Sequence, residues 1–232
     1  MKAYYDLHIH SALSPCADND MTPNNIINMA ALKGLDVVAI CDHNSTFNVR
    51  AAARVAKEVG ICFIPGIELN TAEEVHLLVY FDDVDKAEAF GDMAYDALPA
   101  IQNEEMYFGN QLVLDEQDEV SGKKEKLLIS ALPFDLKTCF ELAREYDGVA
   151  VPAHVNKYTD SILANLGFFP TDIAINTIEV MKSVPLDMDT SAYQVIYNSD
   201  AHMLPQISER ENSLEVDSIM ASGIIEKIQT SK

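Results

Sequence analysis

Two histidines separated by a single residue follow the first apolar segment of the chain. Residues 3–5 predict a β-strand, and His8 and His10 come next, within the motif Asp6-Leu7-His8-Ile9-His10-Ser11. Side chains on a strand alternate between its two faces, so His8 and His10 point to the same face. At the end of a strand, such a pair can hold one cation from one side. The start of the sequence therefore predicts a strand that carries part of a metal site.

The chain has six histidines, and all of them share this setting. Each follows or lies within a short apolar run that predicts a strand, near a carboxylate or a second histidine. A single histidine of this kind is more often a hydrogen-bonded core or surface residue than a ligand. Six of them favour ligands, because imidazole and carboxylate groups at strand ends are what a metal site requires. The six are His8, His10, His43, His76, His154 and His202.

Strand–helix alternation over most of the chain is typical of a parallel barrel with functional residues at the carboxyl ends of its strands. The predicted strands, about seven, lie at residues 3–5, 36–41, 61–65, 75–81, 149–154, 177–181 and 194–198. The predicted helices lie at residues 24–33, 47–60, 84–98, 134–146, 161–167 and 218–229. We expect a single domain over residues 1–232, with an excursion at about 82–147. Within the excursion, residues 110–122 are compatible with a hairpin that turns at Ser121-Gly122.

The motifs resemble those of the PHP family, the polymerase and histidinol phosphatase domains. They stand in the order and approximate spacing of that family, from residue 6 to residue 202. After the first motif they are Ala39-Ile40-Cys41-Asp42-His43-Asn44, Gly66-Ile67-Glu68, Val75-His76-Leu77-Leu78, Pro152-Ala153-His154 and Asn198-Ser199-Asp200-Ala201-His202. The resemblance implies a distorted seven-stranded (β/α)7 barrel with a metal site at the C-terminal face of the strands.

Candidate metal ligands are more numerous than one ion with an open position can accept, so we expect two or three ions. The nine candidates are His8, His10, Asp18, His43, Glu68, His76, His154, Asp200 and His202. Mixed nitrogen and oxygen ligands suit Zn, Mn or Fe. The resemblance implies a first ion held by His8, His10, Glu68 and Asp200. It implies a second ion held by His76, His154 and a bridging Glu68, and a third held by Asp18, His43 and His202.

The loop after His10 offers two carboxylates for the third ion. Family members commonly carry Ser-Asp-Gly ahead of a Thr-Pro pair, whereas this chain has a longer loop before Thr22-Pro23. Counting back from Pro23 selects Asp18, and Asp20 competes with it. Cys16, in the same loop, is a minor candidate. The other three cysteines lack the spacing of a zinc ribbon or a disulfide framework. They are Cys41, Cys62 and Cys139.

Such a site predicts a metal-dependent phosphoesterase that acts through a metal-activated hydroxide, because two ions about 3.5–4 Å apart can clamp an in-line displacement. We expect Glu68, His43 and Asp200 to carry catalysis. Lys157 and Arg210 follow strand ends and are candidate ligands of the substrate phosphate. Three further polar residues are expected to act indirectly. Asp42 and Asn44 would orient His43, and Glu179 would be structural.

The net charge of the chain limits the classes of binding partner. Lys and Arg total 16 against 37 Asp and Glu, for a formal net charge of −21. Such a surface repels a phosphate backbone, which disfavours long nucleic acid and favours a small phosphorylated metabolite or nucleotide. No apolar run approaches the ~20 residues that span a bilayer, and the first residues lack the apolar core of a signal peptide, which predicts a cytoplasmic protein without membrane contact. Oligomerisation is left open.

The motifs leave several functions open. The family that the motifs resemble includes histidinol phosphatases, nucleoside-monophosphate phosphatases and exonucleases, so the resemblance does not choose among phosphatase, phosphodiesterase and exonuclease activities. A non-phosphate hydrolase of amidohydrolase type is a second enzymatic interpretation. A metal-binding interaction module without catalytic activity is a third. The intact set of ligands argues against the third interpretation without excluding it.

Overall fold

The computed structural model describes residues 1–230, and its regular elements begin with a long buried strand. The strands are β1 (Lys2–Ile9), β2 (Val37–Ile40), β3 (Cys62–Asn70), β4 (His76–Tyr80), β5 (Leu112–Leu114), β6 (Val120–Lys123), β7 (Val149–Pro152), β8 (Thr177–Glu179), β9 (Gln194–Ile196) and β10 (Ser213–Glu215). The helices are α1 (Pro23–Leu32), α2 (Val49–Val59), α3 (Val84–Ala97), α4 (Glu105–Phe108), α5 (Leu136–Glu145), α6 (Ile162–Asn165) and α7 (Ala221–Gln229). A short 3-10 helix spans Leu204–Gln206.

Six strands form one curled sheet in the order β10-β1-β2-β3-β4-β7. Strands β1, β2 and β3 are parallel, as predicted. The prediction of a parallel barrel was wrong at β4, which runs antiparallel to both β3 and β7. Residues 71–75 join β3 to β4, and so short a connection permits only a hairpin, since a parallel crossover needs a dozen or more residues. His76, the first residue of β4, therefore lies at the edge where β3 and β7 have their carboxyl ends.

Strands β8 and β9 pair in parallel and form a second sheet. This sheet contacts the first one near β7 and near β1. The N–H of Val155, beyond β7, donates to the carbonyl of Glu179 at 2.9 Å. Beyond β9, Ala201 forms a bridge with Ile9 at the end of β1, and its carbonyl accepts from the N–H of His10 at 2.9 Å. The six-stranded sheet is thus a curled half-barrel, and β8 and β9 lie between β7 and β1.

Local sequence accounts for the elements that surround the sheet. All four residues of β2 are apolar and buried, as expected for a strand that is covered on both faces. The side chain of Thr22 accepts from the N–H of Asn25 and caps α1, and Pro23 occupies its first turn. Helix α2 ends at Gly60, whose φ of 84° is the left-handed conformation that glycine adopts most readily. No helix among residues 1–230 is both long and apolar enough to cross a membrane.

The excursion at residues 82–147 contains α3, α4, the β5–β6 hairpin and α5. The predicted hairpin is present, but its predicted turn was wrong, because Ser121 and Gly122 lie within β6. The chain turns at residues 115–119 instead, where Asp118 has a φ of 63°. The N–H of Leu112 donates to the carbonyl of Ala12 at 2.8 Å, so the hairpin packs on the loop that follows His10.

Candidate metal centre

Five of the six histidines surround the carboxylate of Glu68, and the sixth contacts one of those five. Glu68 lies in the second half of β3 and is 1% exposed. Its two oxygens lie 3.0 to 3.4 Å from ring nitrogens of five histidines. The five are His8, His10, His43, His76 and His154. The sixth, His202, stacks on the ring of His10 with 4.3 Å between centroids.

The side chains divide into three overlapping groups in which all donor atoms lie within 4.8 Å of one another. The first group is His8, His10 and Asp200, the second is His43, Glu68 and His76, and the third is His10, His43 and His202. His154 joins them through its Nε2, which lies 3.2 Å from Oε1 of Glu68. Eight of the nine predicted ligands therefore lie in one cluster. The ninth, Asp18, belongs to none of these groups.

Three polar atoms in the second group form no hydrogen bond, although the two nitrogens among them lie only 3.0 to 3.1 Å from oxygens of Glu68. They are Nδ1 of His43, Nδ1 of His76 and Oε2 of Glu68, and all three are buried. A buried polar atom without a partner costs free energy, so three that face one another need an explanation. A cation coordinated by two imidazoles and a carboxylate satisfies all three atoms at once. The residues present therefore fit a divalent metal ion.

The electrostatics of the centre are set by carboxylates and imidazoles that share one buried space. Burial alone would raise the pKa of Glu68, but His76, His8 and His43 outweigh it and hold that pKa well below its usual range. Burial alone would lower the pKa of His10, but Asp200 and Glu68 raise it to about 9. A ligand must lose its proton before it binds a metal, so protons leave His10 when a cation enters.

The backbone is strained at two of the predicted ligands. His154 has a φ of 25° and Asp200 a φ of 52°, in the left-handed region that residues other than glycine rarely adopt. Such conformations cost about 1–3 kcal/mol each and persist only where the surroundings enforce them. At His154 the N–H donates to Oε2 of Glu179 at 2.7 Å, which fixes the backbone in this conformation. Strain of this kind at two ligands is typical of a functional site.

The model of the PHP domain family matches residues 6–174 of the chain. This chain belongs to the PHP family. A 5'-3' exoribonuclease of Haemophilus influenzae is 28% identical over 199 residues, which cover 68% of this chain and 71% of that protein. A 3',5'-nucleoside bisphosphate phosphatase of Chromobacterium violaceum is 36% identical over 70 residues, which cover 30% of this chain and 24% of that protein.

A solved structure has a similar fold. The lesion-specific endonuclease PfuEndoQ from Pyrococcus furiosus superposes with a TM-score of 0.70 at 22% sequence identity. The match covers 99% of this PHP chain and 56% of the endonuclease chain. At this identity the likeness concerns the fold alone.

Glu179 is a residue of the PHP site whose role the sequence did not reveal. It is 2% exposed and lies at the end of β8. Both of its oxygens lie 3.1 Å from Nδ1 of His8, and Oε1 also accepts from the amide of Asn198 at 2.7 Å. The prediction that Glu179 is structural was incomplete, because it orients the ring of His8 and the backbone of His154. The available signal was a carboxylate at the end of an apolar strand.

Asp42 contacts two of the predicted ligands indirectly, through serine hydroxyls. Its oxygens accept from the N–H and Oγ of Ser11, at 2.8 and 2.6 Å, and from Oγ of Ser14 at 2.7 Å. Oγ of Ser14 in turn lies 3.0 Å from Nδ1 of His10. The same hydroxyl accepts from the N–H of His43 at 3.2 Å, so Asp42 reaches both histidines through Ser14, and its role in orienting His43 stays a prediction.

Asn44 likewise has a different partner from the one predicted. Its amide donates to the carbonyls of Leu128 and Ser130 at 2.7 and 2.9 Å. Its Oδ1 accepts from the N–H of Asn70 at 3.0 Å. Asn44 thus ties the excursion to the end of β3 instead of orienting the ring of His43.

In the loop after His10, the backbone of Asp18 contacts a neighbouring loop, whereas its side chain does not belong to the cluster of predicted ligands. The N–H of Asp18 donates to the carbonyl of His202 at 2.9 Å, which brings the two loops together. The Asp18 side chain is exposed, as are those of Asp20 and Cys16. Asp18 as the ligand of a third ion therefore stays a prediction.

The two predicted phosphate ligands lie at opposite edges of the sheet. Nζ of Lys157 donates to Oδ2 of Asp200 at 3.1 Å, so this lysine is at the PHP site. Arg210 donates to the carbonyl of Gly34 and lies over the ring of Tyr4, 4.0 Å from its centroid. Its Nη2 is 3.3 Å from Asp36, just before β2 begins. The prediction that Arg210 binds the substrate phosphate was wrong, because it lies at the amino ends of β1 and β2.

Proposed function

We propose that the protein is a phosphoesterase that uses two or three divalent metal ions, of Zn, Mn or Fe. The observation that carries the proposal is the buried cluster of histidines around Glu68, with three donor atoms that lack any other partner. When bound, such ions supply an activated water as the nucleophile and neutralise charge on the transferring phosphoryl group. The relatives named as an exoribonuclease and a bisphosphate phosphatase support the same class of reaction.

Glu68 is the residue proposed to bridge two ions. Its Oε1 faces His76 at 3.0 Å, His154 at 3.2 Å and His8 at 3.3 Å, whereas its Oε2 faces His43 at 3.1 Å and His10 at 3.4 Å. The two oxygens thus face different sets of imidazoles, as a bridging carboxylate requires. This supports one ion beside His76 and His154 and another on the side of His10. The group of His10, His43 and His202 supports a third.

Lys157 is proposed to bind the substrate phosphate. Its side chain is 32% exposed, and Asp200 holds its amine at the metal centre. Burial lowers the pKa of Lys157, but Asp200 and Glu68 outweigh it and raise that pKa, so the amine stays charged. A phosphate that enters here meets a fixed cation, which favours its binding. His202, with 26% of its side chain exposed, marks the solvent side of the same centre.

The proposed scaffold is a distorted barrel of seven strands, β1, β2, β3, β4, β7, β8 and β9, in one domain. The contacts from Val155 to Glu179 and from Ile9 to Ala201 support this closure. The excursion at 82–147 would then shape one side of the mouth. The proposed substrate is a small phosphorylated metabolite or nucleotide, because a net charge of −21 opposes binding to a long phosphate backbone.

One screen tests the proposal. Protein loaded with Mn, Zn or Fe is assayed against phosphomonoesters, cyclic phosphodiesters and short oligonucleotides, with phosphate release or product length as the readout. We expect hydrolysis of a small phosphoester that a chelator abolishes and that the Glu68→Gln variant lacks. Cleavage of oligonucleotides in preference to all small substrates would contradict the proposed substrate class. No metal-dependent hydrolysis of any phosphoester would contradict the proposed reaction.

A further inference from the structure

A buried carboxylate outside the metal-ligand set anchors the loop that carries two of the ligands. Asp6 lies in β1 and is 0% exposed. Its Oδ1 accepts from the N–H of Ser199 at 3.1 Å, and its Oδ2 accepts from the N–H of Ser208 at 2.8 Å. Burying an ionised carboxylate is expensive unless strong hydrogen bonds compensate it. An apolar residue at this position of β1 would avoid that free-energy cost. The carboxylate of Asp6 is therefore best explained by the two hydrogen bonds that it accepts.

The two donors bracket one loop. Ser199 and Ser208 stand at the ends of residues 199–208, which include Asp200 and His202. This segment has no regular strand pairing of its own beyond the single bridge from Ala201 to Ile9. Asp200 also holds a left-handed backbone with a φ of 52°. Such a backbone needs anchors on both sides, and each oxygen of Asp6 supplies one.

Two ligands depend on where this loop lies. Oδ1 of Asp200 is 3.2 Å from Nε2 of His10, and the ring of His202 stacks on the same histidine. By contrast, the register of the β3–β4 hairpin fixes the backbone of Glu68 and of His76, because Glu68 pairs with Leu78 and His76 pairs with Asn70. A change at the loop anchors therefore moves one side of the metal centre and leaves the other side in place.

We propose that Asp6 is a positioning residue that sets the metal affinity on the Asp200–His202 side of the centre. It acts through the two ends of the 199–208 loop, and its side chain has only one long contact with a proposed ligand, from the N–H of His8 to Oδ1 at 3.5 Å. The inference rests on the proposed metal centre. A residue that merely stabilised the fold would weaken every ion equally, whereas Asp6 is expected to weaken only those held by the loop.

The sequence offers a matched control. Asp36 lies before β2 and accepts from a main-chain N–H of β1, that of Tyr4, at 2.8 Å. It therefore resembles Asp6 in its chemistry and in the strand it binds. It lies at the opposite edge of the sheet, beside Arg210. Asp36→Asn removes a similar carboxylate without touching the 199–208 loop.

The experiment is a titration of metal-free protein with Co²⁺, followed by visible absorption, and a competition for Zn²⁺ with a chelator of known affinity. In Asp6→Asn, one oxygen becomes an NH₂ group that faces an N–H donor, so one anchor is lost. We expect one binding step to weaken about 10- to 100-fold, the range for residues that orient ligands, while another step changes less than about twofold. Asp36→Asn should leave all steps unchanged.

A direct reference identifies the affected step. His202→Ala removes a ligand on the loop side and should weaken the same absorption band as Asp6→Asn. If the Asp6→Asn protein fails to fold, Ser208→Pro removes one donor while Asp6 remains, because proline has no N–H. That variant should weaken the same step.

Two outcomes would overturn the inference, and they differ from each other. Equal weakening of all steps, or the same effect in Asp36→Asn, would show that Asp6 has no specific role in positioning. A wild-type protein that binds one equivalent or less would overturn the metal centre itself. Neither readout depends on catalytic activity, so failure of the phosphoesterase screen leaves the test of Asp6 intact.

Discussion

The two sides of the metal centre are built differently. On one side, His8, Glu68 and His76 lie within strands and are at most 9% exposed. On the other side, Asp200 and His202 lie in an irregular loop, and 26% of the His202 side chain is exposed. Strand pairing fixes the first set through the register of the sheet. The loop ligands need separate anchors, which Asp6 and other polar side chains provide.

This difference assigns distinct tasks to the two sides. The strand side is buried, and its polar atoms that form no hydrogen bond suit tightly held ions. The loop side carries the strained Asp200 and the amine of Lys157, and it opens to solvent. We infer that substrate enters from the loop side. Substitutions on the strand side should therefore cost more than those on the loop side.

The largest effect is expected for Glu68→Gln on the strand side. The neutral amide cannot bridge two cations, so turnover should fall by roughly 10³-fold or more, the scale seen when an electrostatic stabiliser is removed. Steady-state rates at saturating metal measure this effect. Circular dichroism should show an intact fold. Glu73→Gln is a matched control, because Glu73 accepts from the N–H of Leu136 away from the centre. Normal turnover in Glu68→Gln would exclude Glu68 as the bridge.

A smaller loss is expected for Glu179→Gln. The charge that holds the Nδ1 proton of His8 disappears, although an amide oxygen can still accept from one donor. We expect metal affinity to fall about 10- to 100-fold, as for other groups that orient ligands. Chelator competition measures the change. An unchanged affinity would mean that strand register alone orients His8, which would sharpen the contrast between the two sides.

Metal affinity should also increase with pH. The pKa of His10 is raised to about 9, so below that value its ring carries a proton in the metal-free protein. Binding must displace the proton, and each displaced proton makes affinity rise about tenfold per pH unit. Chelator competition at pH 6, 7 and 8 tests this dependence. Constant affinity over that range, with no proton release in weak buffer, would contradict the assigned charge state.

The smallest effect is expected in the loop after His10. Asp18→Asn should lose only the weakest-bound ion, because the Asp18 side chain is exposed. Asp20→Asn and Cys16→Ser should keep the full metal content. Elemental analysis of the three variants, prepared side by side, makes the comparison. Loss of a metal in Asp20→Asn alone would place the ligand two residues further along the loop.

The sequence predicted the strand side of the centre well for a physical reason. An apolar run followed by histidine predicts both where a strand ends and which side chains lie at that end. The same run does not state the direction of the strand, so the reversal of β4 was missed. His76 reaches the centre all the same, because the hairpin returns its first residue to the edge where β3 ends.

The partners of the ligands were harder to predict, because they depend on contacts between distant segments. Glu179 lies 171 residues from His8, and no spacing rule links them. Arg210 was misplaced because its short distance from His202 in sequence was taken for proximity in space. After His202 the chain instead returns to the amino end of β1. There β10 pairs antiparallel with Lys2 to Tyr4. Proximity to a motif in sequence loses its meaning once the chain turns back.

Glu68 is proposed to join two metal ions in one buried centre. Elemental analysis of protein purified without chelator tests it most directly, with the wild type and Glu68→Gln prepared in parallel. We expect clearly more than one equivalent of metal in the wild type and a loss of at least one bound ion in the variant. A wild type that is fully occupied by a single ion, with the same content in Glu68→Gln, would contradict it.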